Sequence, residues 1–379
     1  SVFLKTYLWN IIIQIAESQR FTKISQSISL LITLMHLALV IILLLFNFLS
    51  ITLIFYLIIF EYLIAALVAY FSLPIIFSNS TPPNQDILRS YWAYCLPLIP
   101  YIFLQMIMKF SDTWLLQQYG GSVQQAYYAL AMQFSVVCIL ATSSFVKILW
   151  KEVAEANEQN NKIMVEVLYF RSTRILFIGA TIFCCSLSPL ASEIIKLTLD
   201  DSFLPGSFVM SLMFLYPIHQ TLGQINGSMY FSLSMTKMHS FFGILFMIFS
   251  TILVYFLLAP GLNFIPGLEL AALGVSIKML IMQFIFTLMT SWYLCYKNKW
   301  IYRYGYQIFY PALFLVLSIF CNFVATKLLG QNMSPLYEII ISLFMYFGLV
   351  SIILYQFPQI LGLHKSDINK ILNSMGISV

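Results

Sequence analysis

Charge is what this sequence has least of. Asp, Glu, Lys and Arg together make up 9% of its 379 residues, against 61% hydrophobic ones. A soluble domain carries roughly 25% charged residues, so there is too little polar surface here to coat a globule of this size. Also missing are a glycine-rich phosphate loop, a cluster of ligands at metal spacing and a Ser/His/Asp arrangement, which leaves no motif for common enzyme chemistry and implies no cofactor. The six cysteines (Cys95, Cys138, Cys184, Cys185, Cys295, Cys321) sit in apolar runs or at their ends. In such places free cysteine behaves as a small hydrophobe. The apolar/polar alternation of a membrane β-barrel is absent too. Ile41 to Phe46 and Leu53 to Phe60 are apolar without a break.

What is present is a succession of long apolar runs, which makes this an all-α, polytopic membrane chain. Lys23 and Glu61 are separated by 37 uncharged residues, about 55 Å of helix and nearly two bilayer thicknesses. That run must fold back, and Asn47 to Ser50 is the natural place. Gly120-Gly121, Pro205-Gly206 and Pro260-Gly261 punctuate later runs, as expected if reversals fall at the membrane interfaces. Eleven spans follow: 2–16, 28–48, 51–73, 91–112, 124–148, 172–196, 208–231, 240–258, 270–294, 307–327 and 336–356. The first is short for a ~30 Å core and the chain opens on Ser1, so upstream sequence is expected. Ser78 to Asn84 (SNSTPPN) reads as a linker. The charged stretch 151–171, with Ile163, Val167 and Phe170 at helical spacing, reads as an amphipathic interfacial segment.

With the loop after the first span inside, fourteen basic residues fall on the cytoplasmic side and three (Lys109, Lys196, Lys327) near the other. By the positive-inside rule the carboxyl terminus is then cytoplasmic. The net charge of +5 reflects this distribution and gives no reason to expect nucleic acid as a partner.

Five stretches stand out together: LPLIPYIFLQMIMKFSDTWLLQQYGG (96–121), AYYALAMQFS (126–135), SPLASEIIKLTLDDSFLPG (188–206), GSMYFSLSMTK (227–237) and GLELAALGVS (267–276). In order and spacing they resemble the multidrug/oligosaccharidyl-lipid/polysaccharide exporter superfamily, and within it the flippases of O-antigen and capsule repeat units. The first is similar to the helix that opens the family's second lobe, the others to later helix ends and entries. Leu270 stands where the family's glycine cluster usually begins, and FVKILWKEVAE lacks a proline common at that point in the family. The resemblance implies two six-helix lobes and makes 91–112 the seventh of fourteen helices, with the first three absent. The organisation expected is 1–74 as the rest of a truncated N-terminal lobe and 75–90 as a cytoplasmic linker. Residues 91–306 would be the six-helix C-terminal lobe and 307–379 two added helices and a tail.

The function implied is flipping of undecaprenyl-pyrophosphate-linked oligosaccharide from the cytoplasmic to the periplasmic leaflet of a bacterial inner membrane, by rocking of the lobes. The lipid-linked oligosaccharide, membrane lipids and other polysaccharide-assembly proteins are the partners expected. Two alternatives stand beside it: a polymerase or glycosyltransferase acting on lipid-linked sugars, and an exporter of the same fold carrying a peptidoglycan precursor or a drug.

Ionisable groups deep in a span cost about 2.5–3.5 kcal/mol on insertion scales and normally face a bundle interior or a cavity. Lys278, some ~12 Å into its helix, is therefore a candidate partner for pyrophosphate; snorkelling or pairing with a carboxylate is the other reading. Gln105, Lys109 and Asp112 recur at i, i+4 and i+7 on one stripe, facing a cavity or, for the last two, neutralising each other. Asp112 and the mid-helix Glu61 are candidates for a coupling ion; for Glu61, pairing with a basic residue is the other reading. His219, Gln220 and Gln224 follow Pro217, whose break in the helix ladder would free groups for sugar hydroxyls; a structural kink is the plainer reading.

Overall fold

The computed structural model describes residues 9–18, 21–48, 50–72, 84–261, 265–302, 304–329 and 334–362. The start of the first expected span, most of the 75–90 linker and the carboxyl-terminal tail lie outside them. The described residues form an all-α bundle: α1 (Trp9–Ser18), α2 (Thr22–Leu45), α3 (Ile51–Ser72), α4 (Gln85–Cys95), α5 (Leu98–Glu158), α6 (Lys162–Leu187), α7 (Ala191–Thr198), α8 (Ser207–Ser232), α9 (Thr236–Leu258), α10 (Ala271–Asn298), α11 (Tyr306–Leu329) and α12 (Pro335–Gln356). Nine segments among these residues are long and apolar enough to cross a membrane. One of them runs through the break in α5 and so contributes two passes. The chain divides into two compact units at Arg89–Ser90.

In the first unit, Trp9, Ala16, Ile32, Ala65 and Ala69 make a small core among α1, α2 and α3. Alanines at i and i+4 on α3 let the helices approach closely. The remaining faces of α2 and α3 expose leucine, isoleucine and phenylalanine, which lipid tolerates and water would not.

In the second unit, Pro97 and Pro100 open α5, where a missing N–H costs nothing. Gly121 then takes φ 77°, ψ 178°, a backbone conformation that L side chains rarely adopt. On an unbroken helix Tyr101 and Trp150 would stand roughly 74 Å apart. Both line one cavity, so α5 folds back at Gly121. Its second limb, from Ser122 to Glu158, is about 55 Å long and outruns the bilayer. The stretch 151–171 is thus the end of this limb, a turn at Asn160 (φ 55°) and the start of α6. Asn161 caps α6 by accepting from the Met164 N–H at 3.0 Å. Val153 and Val165 are buried there, while Ile163 and Val167 point outward.

The most enclosed helix is α8, whose buried residues run from Val209 to Ser232. Pro217 sits inside it without ending it, and the Thr221 hydroxyl donates to the Pro217 carbonyl at 2.8 Å. A buried polar cluster ties α8 to α6 and α10. The Tyr169 hydroxyl donates to Asn226 Oδ1 (3.0 Å), and Asn226 Nδ2 donates to Thr290 Oγ1 and Ser291 Oγ (2.9 Å each). Such bonds between helices act as glue where packing alone gives no hydrophobic gain. Asp200, in the turn between α7 and α8, accepts from the Ser202 N–H at 2.9 Å, and that bond holds its carboxyl below the usual carboxylate range. Of the adjacent Asp200 and Asp201, the first is thus occupied as a cap.

Candidate functional site

Four helices of the second unit surround a cavity of about 480 Å³, within the size range of small-molecule sites. Each helix presents one stripe at three- or four-residue spacing, the geometry of a single helix face. From α5 come Tyr101, Gln105 and Met108 and, on the returning limb, Val146 and Trp150. From α8 come Tyr216, Gln220, Gln224, Ser228 and Phe231. His239, Gly243, Met247 and Ser250 belong to α9, and Met279, Gln283 and Phe286 to α10. Among the described residues this lining carries four glutamines, two tyrosines, two serines and a histidine, but no Asp, Glu, Lys or Arg.

The polar groups are only partly occupied by one another. The Tyr216 hydroxyl donates to Gln220 Oε1 at 3.2 Å, and Gln283 Nε2 reaches the His219 carbonyl at 3.5 Å. Gln224 Oε1, His239 Nδ1 and Ser250 Oγ are buried and have no hydrogen-bond partner among the described residues. Buried polar atoms are normally paired, so three unpaired atoms around one cavity mark a place for a polar ligand or water. Tyr101 closes the cavity between α5 and α9. A Cβ at Gly243 would collide with its ring, and His239 packs on it at 5.2 Å. Glycine at 243 makes the notch that the tyrosine fills.

The candidates from the sequence divide into two groups. Gln105, Gln220 and Gln224 lie on the cavity wall; Lys109, His219 and Lys278 do not. Lys109 is exposed. The His219 ring packs between Phe177 and Phe284, at centroid distances of 5.8 and 4.9 Å. Lys278 is fully buried and donates to Asp112 Oδ2 at 2.5 Å. Asp112 is buried and pairs with Lys278 of α10, while Lys109, three residues before it on the same stripe, is exposed. Asp112 Oδ1 has no partner among the described residues.

In the first unit Glu61 is buried, with Oε2 at 2.9 Å from His36 Nδ1 of α2 and Oε1 unpartnered among the described residues. His36, Tyr101, Trp150, His239, Ser250 and Gln283 were not candidates from the sequence. Gln283 carried a usable signal, an uncharged polar side chain in an apolar run. Tyr101 lies one turn before Gln105 on the same stripe.

Among the described residues no group of three or more His, Cys, Asp or Glu is placed to hold a metal. No protein-family model and no curated protein matches the sequence. Among solved structures, the crystal structure of a proline-to-alanine mutant of a MATE is similar, with a TM-score of 0.50 and 12% identity over 64% of this chain and 56% of that one. The chain thus spans little more than half the length of the structure it matches, and at this identity the likeness is one of fold. The class defined is a polytopic helical membrane protein whose fold is similar to that of a MATE.

Proposed function

We propose that this chain is an exporter of the multidrug/oligosaccharidyl-lipid/polysaccharide type, and that its cargo is a lipid-linked oligosaccharide passed across a bacterial inner membrane by alternating access. The observation that carries this reading is the cavity. Glutamine amides, hydroxyls and aromatic rings, with unpaired polar atoms among them, form the surface on which sugar hydroxyls find donors and acceptors and sugar rings find flat partners. Gln105, Gln220 and Gln224 are assigned to the cargo. Lys109, His219 and Lys278 are one step removed from it: they belong to the cavity-forming helices but not to the wall. Asp112 and Glu61, each with an unpartnered buried oxygen, are assigned to the coupling ion.

The same fold with a different cargo is the second reading, and the uncharged wall supports it. A pyrophosphate asks for cations, and the buried Lys278 is already bonded to a carboxylate. A drug or another neutral-headed molecule would suit this wall as well.

Deleting the full gene tests the proposal. Lipid-linked repeat units should be made and remain in the inner leaflet. Single repeat units delivered outside but never joined would instead identify a polymerase. Normal surface polysaccharide with raised drug sensitivity would identify a drug exporter.

A further inference from the structure

On the outer side of the α9–α10 seam lies a second hollow of about 410 Å³, lined wholly by apolar side chains that include Phe249, Leu253, Met282 and Ile285. It is not isolated. Phe246 belongs to its wall and to that of the polar cavity. Met289 joins it to a third hollow, of about 440 Å³, that runs past Trp292 to Gly305 and Ile308. The partition between the polar cavity and the apolar track is therefore thin. It is formed by Phe246 of α9 against Phe286 of α10, ring centroids 4.9 Å apart.

We propose that this seam is a lateral entrance for an amphipathic cargo. Resting on the reading of the cavity as a site for neutral sugar, it assigns the polar head to the glutamine-lined cavity and the hydrocarbon chain to the outer track. Phe246 and Phe286 are the gate between them. The continuity of the hollows supports this assignment. A head taken from the membrane plane must cross a helix seam, while a chain attached to it gains nothing by leaving an apolar environment. Here the seam has a polar pocket on one side, an apolar trough on the other and one aromatic pair between. Rotation of the two phenylalanine rings removes the side chains that close the seam, and a head group passes as α9 and α10 then part.

Two photoreactive alkyl maltosides test this on the whole chain in phosphatidylcholine nanodiscs, one with a diazirine on the sugar and one with it at the chain end. The sugar-end probe should label cavity residues such as Gln224 and Gln283. The chain-end probe should label Phe249, Leu253 and Ile285 at least fivefold above Phe320 and Phe323, apolar residues exposed on α11. The same chain without its sugar should label all these residues alike. Leu253→Trp, which fills the trough, should abolish the chain-end enrichment. Phe246→Ala, which thins the gate, should let the chain-end probe reach Met247 as well. Even labelling by the chain-end probe, with the sugar-end probe still in the cavity, overturns the entrance and leaves the cavity reading intact. Failure of the sugar-end probe to label the cavity overturns both.

Discussion

Lys278 and Asp112 form a buried pair whose energetics are asymmetric. Removing one partner strands a charge and costs about 3–5 kcal/mol, whereas replacing both by apolar side chains of similar size is often neutral or stabilising. Lys278→Ala should therefore lower the melting temperature and cellular abundance. Lys278→Met combined with Asp112→Leu should restore both, as read by fluorescence-detected size exclusion. Undiminished stability of the single variant would mean that the pair does not hold α5 to α10. If Asp112 also binds the coupling ion, the restored double variant will be folded and abundant yet lack ion-driven transport. Depth along a helix was legible in the sequence and marked Lys278 as a group that must be compensated. Direction around the helix was not, because α10 is buried on more than one side and only some of those sides meet the cavity. The glutamines were easier. Gln105 was marked by its helical spacing with Lys109 and Asp112, and Gln220 and Gln224 by their place after Pro217, and all three lie on the wall.

At the scale of the element, the fold turns on a few punctuating residues. Gly121 lets α5 fold back and so brings Tyr101 and Trp150 to the same cavity. A β-branched side chain at its φ of 77° costs on the order of 1–3 kcal/mol and would favour a straighter helix. Gly121→Val should accordingly reduce abundance and thermal stability, while Gly179→Ala should change little, since a Cβ at residue 179 meets nothing within 4 Å. Equal effects in a thermal-melt comparison would show that the reversal does not depend on glycine. This break was legible because two adjacent glycines weaken a helix wherever they fall, and a run too long for one bilayer crossing must turn somewhere. The helix ends at 151–171 were not. Charge suggested a surface segment, but a 55 Å limb can leave the bilayer and remain helical, burying Val153 and Val165 against neighbours of which the local sequence gives no sign. Pro217 shows the converse: a proline predicts a lost hydrogen bond, yet α8 continues through it because its neighbours hold it on every side.

At the scale of the whole molecule, composition alone excluded a soluble globule, and the lengths of the uncharged runs gave most of the helix count. Orientation depends on different physics, the retention of basic loops on the cytoplasmic side, and it makes a prediction independent of any packing. Gln159 and Ser122 are exposed at opposite ends of the second limb of α5, about 55 Å apart along the helix. Fourteen basic residues assigned to one side and three to the other predict the end at Gln159 in the cytoplasm and the end at Ser122 outside. Single cysteines at these positions, in a background without the six native ones, should respond oppositely to a membrane-impermeant thiol reagent. Ser122→Cys should react in intact cells once the reagent has passed any outer barrier, and Gln159→Cys only after the membrane is opened. The test is sharp because one helix carries both sites: a correctly spanning limb cannot expose both ends to the same side. Reversed labelling would invert every loop in the chain and move the proposed head-group cavity and its lateral entrance to the opposite orientation in the bilayer. Labelling of both sites in intact cells would mean that the limb does not span at all, and the fold-back at Gly121 would then not lie at a membrane interface.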